Sequence, residues 1–142
     1  MNSEFTEPTP SFGTCLMYIP LQIHGLPVRA LLDSGASDNF ISEWLVSHLN
    51  LTRYPLPHAL RVDMADGSSL SLTSMVRPYL HLGSLKLRLF LKVVPTPFPV
   101  ILGFPFLNYF NPDIDWRLRQ LTLTYGGRPH TVQAKSSLLS FA

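Results

Sequence analysis

Val28-Arg29-Ala30-Leu31-Leu32-Asp33-Ser34-Gly35-Ala36 joins an apolar, strand-forming run to a carboxylate and then to a turn. The acid therefore sits where a strand gives out. Gly35 permits a close backbone approach that a Cβ would block, and the Ser34 hydroxyl is placed to tie the turn down. Taken alone, Asp-Ser-Gly fits a plain surface turn. What distinguishes this one is its context: the apolar strand before it and, about 70 residues later, a second apolar run ending in glycine, Val100-Ile101-Leu102-Gly103.

Outward from this stretch the chain reads as short strands divided by turns. Residues 16–23 and 28–32 are apolar runs separated by His24-Gly25-Leu26-Pro27, a hairpin signature. Ser42 is suited to cap a short helix over 43–49, with Asn50 as its left-handed stop. Residues 60–64 and 70–75 flank Ala65-Asp66-Gly67-Ser68, and Asp-Gly between strand-like runs signals a hairpin turn. Residues 85–94 alternate apolar and polar, which predicts one strand with a buried face. Residues 99–102 give another short strand, and 105–110 one or two helical turns opened by Pro105 and ended by Asn111-Pro112. The last strands fall at 114–116 and 121–125, and from Gly126 onward the signal is weak. Residues 1–12 read as a linker or cloning remnant, 13–126 as one folded domain and 127–142 as a C-terminal tail.

Composition agrees with a β-rich domain. Of 142 residues, 46% are hydrophobic and 14% charged, enough apolar material for a core. Thirteen prolines and eight glycines spread along the chain favour many short segments. The formal charge is +2 and the basic residues do not cluster with aromatics, so no nucleic-acid partner is expected. No apolar run is long enough for a membrane span and no signal sequence is visible, so no membrane association is expected. The single cysteine, Cys15, fits a reducing, cytoplasmic location. His24, His48, His58, His81 and His130 lack metal-ligand spacing, and neither metal nor cofactor is expected. Gly35-Ala36-Ser37-Asp38 lacks the closing glycine of a nucleophile elbow, which argues against a serine hydrolase. Trp116 and the phenylalanines between Phe104 and Phe110 are expected in the core.

An apolar strand entering Asp33-Ser34-Gly35-Ala36, a Gly-bearing hairpin about 30 residues on, and then Ile101-Leu102-Gly103 together resemble the retropepsin pattern. The stretch from Pro99-Val100-Ile101-Leu102-Gly103-Phe104-Pro105-Phe106-Leu107 to Asn111-Pro112-Asp113-Ile114-Asp115-Trp116 is similar to the Sushi-type subfamily of gypsy-class retrotransposons and the vertebrate genes domesticated from them. Phe106 stands where that subfamily typically has Trp.

The resemblance implies a mainly β fold: a closed, barrel-like acid protease subunit with one or two short helices, paired in a symmetric homodimer. It implies Asp33 as the catalytic acid, Ser34 as a brace between the two catalytic loops, and Gly35 and Ala36 as supports of the site. Met64, Ala65, Asp66, Gly67 and Ser68 would form a flap over the peptide. Leu31, Ser37, Asp38, Pro97, Phe98, Pro99 and Ile101 would wall the substrate pockets, and Leu102 and Gly103 would pack beneath the catalytic loop. An ion pair common in retroviral proteases is missing on both sides, since its positions hold Ser37 and Phe104. Neither partner is thereby left as an unpaired charge.

Such chemistry needs two carboxylates sharing a proton, as aspartic proteases exemplify. This chain carries one Asp-Ser-Gly and is too short for a two-lobed monomer, so the second acid has to come from a second chain. The implied activity is endopeptidase cleavage of peptides or a Gag-Pol-like polyprotein, in the cytoplasm or a virus-like particle. The alternative keeps the fold and loses the chemistry: a catalytically silent dimerisation or peptide-binding module.

Overall fold

The computed structural model describes residues 16–63 and 67–136. Strand β1 (Met17–Ile23) buries Ile19, Leu21 and Ile23 and turns back into β2 (Leu26–Leu32). The connection is the two-residue turn His24-Gly25, with φ of 52° and 78°, the left-handed pair whose twist matches that of the flanking strands. The hairpin is tighter than expected, because Leu26 and Pro27 already pair with Ile23 and Gln22.

β3 (Phe40–Ser42) runs directly into α1 (Glu43–His48). The fully buried Ser42 accepts the Leu45 N–H on its Oγ at 3.2 Å, and Asn50 adopts φ 52° beyond the helix end. Ser42→Ala removes this cap from a buried site and is expected to cost about 1 kcal/mol. Urea denaturation would measure it, and an unchanged midpoint would show that the cap is dispensable.

β4 (Tyr54–Asp63) and β5 (Ser69–Val76) form a long hairpin, followed by β6 (Tyr79–Leu82), β7 (Leu85–Arg88) and β8 (Leu91–Val94). The alternating run 85–94 is two strands, not one. β7 pairs with β6, whereas β8 passes between β3 and β5. Leu85, Leu87, Leu91 and Val93 are nevertheless all buried. The side-chain pattern survives because both pieces face one core, while their hydrogen-bond partners differ. β9 (Val100–Leu102) leads to α2 (Phe104–Phe110), with Pro105 in its first turn and Asn111 left-handed at its end, φ 42°. β10 (Asp113–Asp115), β11 (Gln120–Tyr125), β12 (Arg128–Gln133) and β13 (Lys135–Ser136) follow.

The larger sheet is ordered β4-β5-β8-β3-β9-β2-β1-β6-β7, with β13 also on β1, and the smaller β10-β11-β12. A core of Ile19, Ile41, Leu45, Leu80, Leu102, Leu121 and Leu123 joins the two. The expected closed barrel is not formed. β4 and β7 end the sheet at opposite sides, and although Tyr54 of β4 and Arg88 of β7 line a common cleft, no ladder joins these strands among the described residues.

Two further expectations are corrected. Residues 128–133, within the expected tail, form β12, because Gly126 and Gly127 (φ 63° and 76°) make a tight reversal that returns the chain along β11. Val132 is then buried in the core. Trp116 and Phe104 are 69% and 55% exposed, while Phe106 is buried. Asp115 Oδ1 accepts the N–H groups of Arg117 and Leu118, each at 3.0 Å, so the chain bends out of the sheet at Trp116.

Candidate active site

Strand order creates the site. β2 and β9 run parallel, with Leu31 beside Ile101 and Leu32 beside Leu102, and the other edge of β9 takes β3 antiparallel. The chain leaving β2 must therefore arch over the end of β9 to reach β3. Asp33 is the first residue of that arch.

Hydrogen bonds pin the arch along its length. The Asp33 N–H donates to the Leu102 carbonyl at 3.0 Å, the Ala36 N–H to the Asp33 carbonyl at 3.1 Å, and the Phe104 N–H to the Ala36 carbonyl at 2.8 Å. Near its far end, Asn39 Oδ1 accepts the Gly103 N–H at 2.9 Å. Asp38, half-buried, is ion-paired with Lys92 of β8 at 2.8 Å. The Asp33 carboxylate is exposed, and its Oδ1 accepts the Gly35 N–H at 3.0 Å. An acid so placed has a fixed main chain and an accessible head. Ser34 and Ser37 are also exposed on this arch.

Gly103 is required by space. A Cβ there would lie 2.2 Å from the Asp38 carbonyl oxygen and 2.7 Å from that of Ala36. Leu102 beside it is fully buried. The arch thus rests directly on the backbone of β9, and Phe104 contributes through its main-chain N–H.

Among the expected pocket residues, Leu31 is buried and Ile101 partly buried. Ile101 and Ala36 pack against a small cluster of Phe40, Leu72 and Val94, which also takes in Leu56, Leu60, Val62 and Leu70 of the β4–β5 hairpin. Phe98 has its ring centroid 6.5 Å from that of Tyr18, the Pro99 carbonyl accepts the Ser42 N–H at 3.0 Å, and Pro97 is exposed. Of the residues expected in a flap, Met64, Ala65 and Asp66 lie outside the described residues. Gly67 and Ser68 are exposed at the start of β5, with Gly67 at φ 90°. Just below the tip, Ser69 Oγ accepts from Arg61 at 3.1 Å and donates to Asp63 at 2.8 Å.

Sequence reading missed Asn39 and the apolar lining of the hairpin. The lining carried a signal, since Leu60 and Val62 alternate opposite Leu70 and Leu72. Asn39 carried none, because its partner is 64 residues away. On α1, away from the arch, the hydrogen bond from the Arg53 guanidinium holds the Glu43 carboxyl below its usual range. These residues include no cluster of His, Cys, Asp or Glu fit to hold a metal, and no helix long and apolar enough to cross a membrane.

Comparison with solved structures gives the same fold. The retroviral protease-like domain of Ddi1 from Leishmania major superposes with a TM-score of 0.65 at 16% identity, covering 85% of this chain and 94% of that one. The EIAV protease, in complex with an inhibitor, superposes with a TM-score of 0.54 at 16% identity, covering 69% and 90%. The family model described as the PEG10/RTL1 protease domain matches residues 29–126, from the middle of β2 to the Gly126-Gly127 turn. With the Asp33 arch, its β9 support and the β4–β5 hairpin all inside that match, the chain belongs to the PEG10/RTL1 protease domain family, a retropepsin-like domain of gypsy-derived retroelements or genes domesticated from them.

Proposed function

We propose that the chain is an aspartic endopeptidase that works as a symmetric homodimer, with Asp33 of each subunit facing the other across the two-fold axis. The observation that carries this reading is the state of Asp33. Its backbone is clamped to β9, its carboxylate is exposed, and the chain offers no second Asp-Ser-Gly to complete a pair. In the dimer, one ionised carboxylate takes a proton from water while the protonated one polarises the peptide carbonyl. Water oxygen bonds to the carbonyl carbon to give a tetrahedral diol. The C–N bond then breaks as a proton passes to the leaving amine. Ser34 braces one arch against the other, and the β4–β5 hairpin covers a peptide or Gag-Pol-like polyprotein.

A shared site makes activity depend on concentration. Specific activity is expected to fall on dilution toward the dimer dissociation constant, and adding an Asp33→Asn chain is expected to poison the wild type by forming mixed dimers. Undiminished activity from a species shown by sedimentation to be monomeric would end this model. A folded dimer that cleaves no peptide in a broad library would assign the chain to the silent dimerisation or peptide-binding reading instead.

Substrate preference follows from the apolar lining. Ile101, Ala36 and the hairpin leucines favour large hydrophobic residues at the scissile bond. One methylene in such a pocket is worth only about 1–3 kcal/mol, so selectivity is broad. Ile101→Ala is expected to change the accepted residues by roughly tenfold in relative kcat/KM, which a peptide-library profile would register. A profile dominated by charged residues on both sides of the cut would refute the pocket assignment.

A further inference from the structure

Four exposed aromatic rings line two clefts joined by one arginine, and the cations beside them have no counter-ion among the described residues. Tyr54, Tyr79, Phe90 and Tyr109 are 41%, 45%, 51% and 76% exposed. Tyr54 and Tyr79 line one cleft together with Arg77, Arg88 and His24. Phe90 and Tyr109 line a second. Arg77 links the two, because its guanidinium lies over the Phe90 ring, 4.8 Å from the centroid.

The cations are held in place rather than dangling. Lys86 and Arg88 lie 4.4 Å and 4.9 Å from the Tyr79 ring centroid, and Arg88 Nε donates to the Arg77 carbonyl at 3.0 Å. Among the described residues, Arg77, Lys86 and Arg88 make no ion pair with a carboxylate. Asp38, the acid on the second cleft, is neutralised by Lys92. Among the described residues, the face is therefore a set of ordered positive charges with no paired carboxylate, interleaved with rings.

The ligand that satisfies both features is a polyanion carrying flat groups at intervals. We propose that this face binds single-stranded nucleic acid, with phosphates on Arg77, Arg88 and Lys86 and bases stacked along Tyr54, Phe90 and Tyr109. An acidic peptide would satisfy the cations and leave the rings unused. A duplex keeps its bases stacked on one another and presents mainly phosphate. The linear sequence hides this arrangement because strand pairing builds it: β6 and β7 set Tyr79 directly opposite Arg88.

Fluorescence anisotropy with the full chain and a labelled oligouridylate tests the proposal, with a duplex and a poly-glutamate peptide of matched charge as the other arms. Saturable binding of the oligouridylate is expected, at least about tenfold tighter than either comparator. The double variant Arg77→Gln/Arg88→Gln is expected to flatten the dependence of log K on log salt by about 1.4, or about 0.7 for each phosphate no longer neutralised. Tyr54→Leu and Tyr109→Leu, at rings that hold none of these cations, are each expected to weaken binding roughly tenfold with the salt slope unchanged. Thermal melts check that the variants fold, and Tyr109→Leu, at the most exposed of the rings, carries the test if Tyr54→Leu does not. Poly-glutamate binding as tightly as the oligouridylate would overturn the proposal in favour of an acidic peptide. Aromatic variants without effect, or no saturable binding, would also overturn it.

Discussion

Asp33→Ala is expected to lower kcat/KM by at least about 1,000-fold while the subunit remains folded. In a symmetric dimer the one substitution removes both the general base and the general acid, each of which typically contributes 10²–10⁴-fold. The structural cost is small by comparison. The carboxylate is exposed, and its visible partner is the Gly35 N–H, so about 1 kcal/mol of stability or less is at stake. The main-chain bond from Asp33 to Leu102 is independent of the side chain. Peptide hydrolysis, sedimentation and a thermal melt on the same preparations separate the two effects. Residual activity within tenfold of the wild type would remove Asp33 from the chemistry.

The largest effect on stability is expected at Gly103, far from any role in bond breaking. An alanine Cβ would enter the space of two carbonyl oxygens, at 2.2 Å from Asp38 and 2.7 Å from Ala36. Both belong to the arch backbone, so relief requires the arch to lift from β9. That lift would break or stretch the Phe104 N–H bond to Ala36 and the Gly103 N–H bond to Asn39. Gly103→Ala is expected to destabilise the subunit by about 3 kcal/mol or more, at the upper end of overpacking effects. Activity should fall with it, because Asp33 is carried by the same arch. Urea denaturation measures the first and peptide hydrolysis the second. A loss under about 0.5 kcal/mol would show that the arch is not clamped as described.

These two residues were legible in the sequence to different depths. Asp33 stood out because its chemistry and its local setting, an apolar strand running into Ser34-Gly35, lie within a few positions of each other. Gly103 was readable as the end of a strand and, through the family resemblance, as packing beneath the loop. That it excludes even a methyl group follows only from the passage of Ala36 and Asp38 over it. The brace supplied by Asn39 and the ion pair between Asp38 and Lys92 likewise depend on strands that meet through β9 and β8.

The same division runs through the whole molecule. The sequence by itself determined the strand-to-turn placement of Asp33, the reversal near His24-Gly25, the Ser42 cap and the Asn50 and Asn111 stops. Each of these is set by φ preferences and hydrogen bonds among residues a few positions apart. Tertiary structure alone decided that 85–94 breaks into two strands, that 128–133 returns as β12, that Trp116 faces outward and that the sheet stays open between β4 and β7. It also decided which cations and rings share a face. A strand's side-chain alternation records which side is buried, but not which neighbour takes its hydrogen bonds. That neighbour comes from a distant part of the chain, and no local pattern of residues specifies it.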